Sequence, residues 1–350
     1  MRPRAVLAQI AGQGARRIVV FAILFLALSA AVPFAIYHEL GGQWPALDGR
    51  LFSPLAIAAC LALLVVYFVA DGLRLYYAVR ALGYHVPAAH MARLVFINFL
   101  ISNITPMATG GGFAQIGYLR GQGVHLGAAT AATTLRTLLA SLLIFIPTPF
   151  LMWFMSPLQD SAVASRWGFY LGLLAALYVG FFALALTRPR WMMASGVGLL
   201  KFLNRAGVIG ERRLRRWRFG LRREMVRFGA ALRAYLKGPR RYVMLSVLFT
   251  VLFLLTLFSF PAVLLWALGY HIDYLAVIGL MVVTTFVMYF APTPGAAGIA
   301  EGVFAMFFAG LVQADHLLLM VVAWRALTIY LGMLIGVPIT LHALAGGARG

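Results

Sequence analysis

Gln115 and Glu301 stand 186 residues apart, each inside an apolar stretch and each just beyond a Pro/Gly-rich interruption. A carboxyl within a membrane-length apolar segment is costly as a charge, so Glu301 is a candidate to titrate with transport or to hold a cationic headgroup. The alternative is a cap, in which a carboxylate in the first helical turn accepts loop amides and is favoured by the helix dipole. Arg136 and Arg325 lie in the apolar segments that follow, in the contexts Thr-Leu-Arg-Thr-Leu and Ala-Trp-Arg-Ala-Leu. Each offers a guanidinium to a phosphate or to Glu301, or forms a purely structural ion pair. Asn98, Asn103, Thr105, Thr109, Tyr118 and Thr293 supply hydrogen bonds that either orient a ligand or join helix to helix.

The interruptions themselves read Asn-Ile-Thr-Pro-Met-Ala-Thr-Gly-Gly-Gly from Asn103 and Pro-Thr-Pro-Gly-Ala-Ala-Gly from Pro292. Proline removes a donor and glycine weakens a helix, so a helix breaks at each. Such breaks at membrane depth are tolerated where protein or a polar cavity surrounds them. The restarted helices would present free amides and a positive dipole end, which suits a phosphate. Gly110, Gly111 and Gly112, with Gly295 and Gly298, would let backbone N–H groups approach a headgroup; tight packing is the plainer role for the same residues.

The breaks belong to an internal repeat. Ala81-Leu82-Gly83-Tyr84-His85-Val86 matches Ala267-Leu268-Gly269-Tyr270-His271-Ile272 at an offset of 186, which also carries Pro106 onto Pro292, Gly112 onto Gly298 and Gln115 onto Glu301. Discontinuous helices in inverted repeats are a recurring transporter design, with the site at the repeat interface.

At 63% hydrophobic residues the chain is far from the composition of a soluble domain, and several runs approach the ~20 residues that cross a bilayer. The fold class expected is an all-α polytopic membrane protein built of inverted repeats, each holding a broken re-entrant hairpin. The formal charge of +20 flanks the apolar spans, so orientation and anionic lipid, not nucleic acid, account for it. Cys60 is the lone cysteine and cannot form an intramolecular disulfide. The histidines show no metal spacing, and nucleotide-binding, zinc-protease and serine-hydrolase motifs are absent from the sequence. Neither a metal nor a cofactor is expected, and catalysis has no positive support.

One membrane domain is expected over 1–350: a first helix at 18–37, a first repeat over 54–153, a connecting helix at 167–186, a basic segment over 188–241 and a second repeat over 242–341. Within the first repeat, a helix over 54–77 carries Asp71 and Arg74 near its end, three apart on one face, as an interfacial ion pair. The limbs of the hairpins are placed at 86–104 with 113–120, and at 272–290 with 299–311. In the basic segment Arg212, Arg213, Arg215, Arg216, Arg222 and Arg223 alternate with apolar residues at helical spacing. That pattern suits a helix lying on an anionic leaflet, or else a solvated linker that fixes topology.

Basic residues place both termini and 188–241 in the cytoplasm. Arg93 and Arg120, on opposite limbs of the first hairpin, both fit that side, which makes the hairpin re-entrant and the second one inverted relative to it. Each first limb of some 18 residues would extend about 27 Å if fully helical, so strong tilt or an early break is required.

Thr105-Pro106-Met107-Ala108-Thr109-Gly110-Gly111-Gly112 followed by Gln115-Ile116-Gly117-Tyr118, and Pro292-Thr293-Pro294-Gly295 with Gly298 and Glu301, resemble the paired signatures of the flippase-like, lysylphosphatidylglycerol synthase transmembrane-region family. In multiple peptide resistance members a similar membrane domain moves aminoacylated phospholipid, and a separate cytosolic domain performs the aminoacyl transfer. No stretch here is similar to that second domain. The resemblance therefore implies a lipid transporter in the cytoplasmic (inner) membrane, moving an anionic or phosphate-bearing lipid of phospholipid, aminoacyl-phospholipid, polyprenyl or hopanoid type. The alternatives it leaves are the membrane subunit of a lipid-modifying enzyme and a lipid-binding scaffold. The partners implied are membrane lipids, with a lipid-biosynthesis enzyme and a second copy of the chain as protein partners.

Overall fold

Proline, glycine and small capping side chains decide where several of the helices begin or end. The computed structural model describes residues 15–39, 48–154 and 232–346, with scattered positions between 170 and 230. Helix α1 (Ala15–Glu39) precedes a 3₁₀ turn and α2 (Pro54–Ala81), which starts with Ser53 Oγ accepting from the Ala56 N–H. Helices α3 (Ala88–Asn103) and α4 (Thr109–Gly121) form the first broken pair, followed by α5 (Leu126–Phe145) and α6 (Pro147–Phe154). After the basic segment come α7 (Arg240–Ala267), the second pair α8 (Tyr274–Met288) and α9 (Ile299–Phe308), then α10 (Ala314–Arg325), a π-helical turn at Ala326–Tyr330, and α11 (Leu331–Gly346). No strand occurs among the described residues.

The chain is an all-α polytopic membrane protein. Five described segments are long and apolar enough to cross a membrane: Val20–His38, Pro54–Ala81, Leu126–Trp153, Arg240–Ala267 and Ala314–Ala343. Their outer faces hold large exposed apolar groups such as Val65, Met244 and Leu248, which would be a liability in water and are at home in hydrocarbon.

Helices α2 and α7 each have 28 residues, start 186 apart, and end at the repeated Ala-Leu-Gly-Tyr-His sequence. Gly83 and Gly269 close the two helices at φ 85° and 84°, a conformation other residues adopt at a cost. The two helices pack along each other through stacked rings, Tyr67 on Phe253 at 5.0 Å and Tyr77 on Phe249 at 5.5 Å. Such pairs add about 0.5–1.5 kcal/mol each beyond area burial. Helix α11 lies close against α3, because a Cβ at Gly336 would sit 2.4 Å from the Phe96 carbonyl oxygen.

Several boundaries differ from the sequence expectation. The second limb of the first pair starts at Thr109, four residues before the expected Phe113, so the three glycines lie inside its first turns. Their missing side chains let α4 cross α3: a Cβ at Gly111 would lie 1.8 Å from Ser102 Oγ. Helix α2 runs on to Ala81 rather than Tyr77, which puts Asp71 well inside it. The expected span 127–153 is one apolar segment from Leu126 to Trp153, interrupted for a single residue at Ile146 ahead of Pro147. Apart from isolated positions, the expected connecting helix at 167–186 lies outside the described residues.

Candidate functional site

The two breaks meet. Pro106 and Pro294 form an isolated antiparallel β-bridge, bringing the loop between α3 and α4 against the loop between α8 and α9. Met107, Ala108 and Ala296, at φ 52°, 53° and 55°, are the non-glycine residues with left-handed backbone among those described, and all three lie in these loops. Each such residue costs about 1–3 kcal/mol and persists where its surroundings enforce it. The junction is tight on the second-break side: a Cβ at Gly295 would lie 2.9 Å from Asn103 Oδ1 and 2.7 Å from Phe25 of α1.

Glu301 and Arg325 come together, as their sequence contexts allow. Arg325 Nε donates to Glu301 Oε1 at 2.7 Å, and a second guanidinium N–H donates to the Gly295 carbonyl at 3.0 Å. Glu301 Oε2 accepts from the Gly298 N–H at 2.8 Å, at the start of α9. The carboxylate therefore caps its helix and neutralises a buried arginine at once, with both side chains essentially unexposed. Trp324 stacks on Phe304 at 4.6 Å, which ties α10 to α9 and fixes the pair. The π-helical turn begins directly after Arg325, a distortion often found at functional sites.

Gln115, the matched residue of the first break, is 2% exposed and its Oε1 has no protein partner. Arg136 is bonded elsewhere: its guanidinium donates to Asp71 Oδ1 at 2.5 Å, the oxygen that also accepts from Arg74 at 2.5 Å. Arg74 lies 3.7 Å from the centroid of the Phe253 ring. Asp71 and Arg74 are thus buried rather than interfacial, and arginines from two helices, α2 and α5, converge on one carboxylate. The sequence signal for this was the position of Asp71 ten residues before the glycine-marked end of α2, about 15 Å along the helix.

The other candidates turn toward their own backbone. Asn103 donates to the Phe99 carbonyl, Thr105 to Ile101, Thr109 to Pro106 and Thr293 to Ala297. Tyr118 meets His90 at 3.1 Å, tying α4 to α3. The Gly110 N–H donates to Thr105 Oγ1 at 3.0 Å and the Gly111 N–H to the Ala108 carbonyl at 3.3 Å, so neither amide is open to a headgroup. Only Gly112 leaves room above it, with Thr133 Cγ2 3.8 Å from where a Cβ would stand.

Of the surface arginines, Arg215 is exposed and 3.5 Å from Glu211. Arg212, Arg213, Arg216, Arg222 and Arg223 lie outside the described residues. In the loop before α2, Arg50 donates to Asp48 and holds its carboxyl down at about 2. Among the described residues there is no cluster of three metal-ligating side chains.

Comparison with known proteins agrees with this architecture. A "UPF0104 membrane protein" of Archaeoglobus fulgidus is 23% identical over 301 residues, covering 86% of this chain and 89% of that one. The family model described as the lysylphosphatidylglycerol synthase TM region matches residues 15–336, both breaks and both buried ion clusters included. With almost its whole length matched, this chain belongs to the lysylphosphatidylglycerol synthase TM region family.

Proposed function

We propose that this protein moves a lipid with an anionic, phosphate-bearing headgroup across the cytoplasmic membrane, past the junction of its two broken helix pairs. The observation that carries the proposal is a charge imbalance. Among the described residues, Arg74, Arg136 and Arg325 are buried with only Asp71 and Glu301 to balance them. The Glu301–Arg325 pair is one to one, so the excess positive charge belongs to the Asp71 cluster, where Arg136 Nε is also without a protein partner. An unbalanced charge among membrane helices is costly and marks a substrate path by default. A passing phosphate would offset that cost through charge-assisted bonds to a guanidinium. In this proposal the halves are inverted, the first hairpin re-enters from the cytoplasm and the second from outside. Both termini and the basic segment face the cytoplasmic, anionic leaflet.

The test is reconstitution in liposomes with labelled anionic and zwitterionic lipids and a leaflet-specific headgroup assay. Anionic lipid should move in wild-type vesicles, and Arg136→Gln should remove most of that movement. Wild-type rates in a folded Arg136→Gln protein would overturn the proposal.

A further inference from the structure

A cavity of ≈ 280 Å³ lies between α1, α9, α10 and the π-helical turn, and no residue of the Asp71 cluster lines it. Its wall is largely apolar, and Leu26 and Val322, which help line it, are exposed on the outside of the bundle. Four side chains with polar groups also face it: Ser29 from α1, Glu301 from α9, Arg325 from α10 and the half-buried Tyr330 of the π-helical turn. Ser29 Oγ and Arg325 Nη1 have no protein partner, although Ser29 is 5% and Arg325 1% exposed. Buried polar groups are normally satisfied, so two orphans lining one cavity point to something that fills it.

The chemistry of that something is restricted. Glu301 already neutralises Arg325, so the slot has no net charge to offer. A phosphate placed there would face the Glu301 carboxylate across a low-dielectric gap, where like charges repel strongly. An uncharged acceptor meets no such penalty, and a carbonyl oxygen has two lone pairs for the free guanidinium N–H and the Ser29 hydroxyl. At ~30 Å³ per water, the volume equals about nine waters, room for an ester linkage and the first part of an acyl chain. We infer that this slot is a binding site for a neutral acylglycerol lipid, whose ester carbonyl bonds to Ser29 and Arg325 while its chain leaves past Leu26 and Val322. This goes beyond the transport proposal and does not depend on it, because it assigns a different lipid to a different place.

The experiment uses the full-length protein in detergent micelles and a diacylglycerol with a photoactivatable acyl chain, with cross-linked peptides mapped after digestion. Labelling should saturate, fall on α1 and α10, and be competed by unlabelled diacylglycerol more effectively than by phosphatidylglycerol. Ser29→Ala should weaken labelling about three- to tenfold, as expected for one lost hydrogen bond, and Ala30→Phe should abolish it by filling the slot. Phosphatidylglycerol competing equally well would overturn the neutral assignment. Non-saturating labelling, or labelling off α1 and α10, would mean that water fills the cavity. Competition in the unaltered protein decides the matter even if a variant fails to fold. Neither substitution touches Arg136, so failure here leaves the transport assay standing, and failure there leaves this site standing.

Discussion

Asp71 and Arg136 share one hydrogen bond yet should respond to mutation in opposite ways. Asp71 Oδ1 is the common acceptor for two arginines, so Asp71→Asn leaves two buried guanidinium groups without a counter-charge. Losing one partner of a buried pair costs about 3–5 kcal/mol, and the variant should lose most of its folded yield in a detergent melting assay. Arg136→Gln leaves Asp71 paired one to one with Arg74, so it should melt close to the wild type. A similar argument reshapes the test of Glu301. Because it caps α9 and also balances Arg325, Glu301→Gln alone should destabilise by about 3–5 kcal/mol, whatever its part in transport. Replacing the pair together, as Glu301→Gln with Arg325→Met, removes the orphaned charge and should recover much of that loss. A double mutant no more stable than Glu301→Gln would show that the ion pair is not what holds the site. At this scale the sequence announced Glu301 and Arg325, since each is a charge in an apolar run. It did not reveal that Arg136 pairs with Asp71, because that choice depends on how α2 and α5 pack.

Between the limbs of the first broken pair, the glycine triplet divides into positions that must be glycine and one that need not. Gly111 lies where a Cβ would meet Ser102 Oγ at 1.8 Å and Asn98 Oδ1 at 2.6 Å. Gly111→Ala should therefore push α4 off α3 and lower the melting temperature sharply, by the roughly 1–3 kcal/mol typical of overpacking. Gly112 has no neighbour closer than 3.8 Å to its would-be Cβ and no positive φ, so Gly112→Ala should be neutral or raise stability by up to ~1 kcal/mol. Equal effects at the two positions would refute close crossing as the role of the triplet. Propensity alone misplaced the start of α4: three glycines read as a loop, whereas here the contact they permit outweighs their weak helix preference. Helices α2 and α7 both end just before a Gly in the left-handed region, although the expected end of α2 at 77 fell four residues short of Ala81.

Across the whole chain, the repeat offset could be read from matched residues, and the membrane-length segments from the length of their apolar runs. The meeting of the breaks could not. The offset pairs Pro106 with Pro292, yet the bridge joins Pro106 to Pro294, since contact between halves is set by tertiary packing and not by internal homology. The charge distribution makes a definite prediction about the direction of the halves relative to the bilayer. Arg93 and Arg120 mark the mouth of the first pair and are exposed, while the second pair is flanked by Asp273 and Asp315. Inverted halves require these mouths to open on opposite sides, the arginine-rich one inside. In a Cys60→Ala background, cysteines at Ala92 and Arg120 should react with an impermeant maleimide only when the cytoplasmic face is accessible, as should one at exposed Arg215. Cysteines at His271 and Ala314, which are exposed at the other mouth, should react in intact cells. Labelling of both mouths from one side would mean that the halves run parallel and that transport past their junction needs a different geometry.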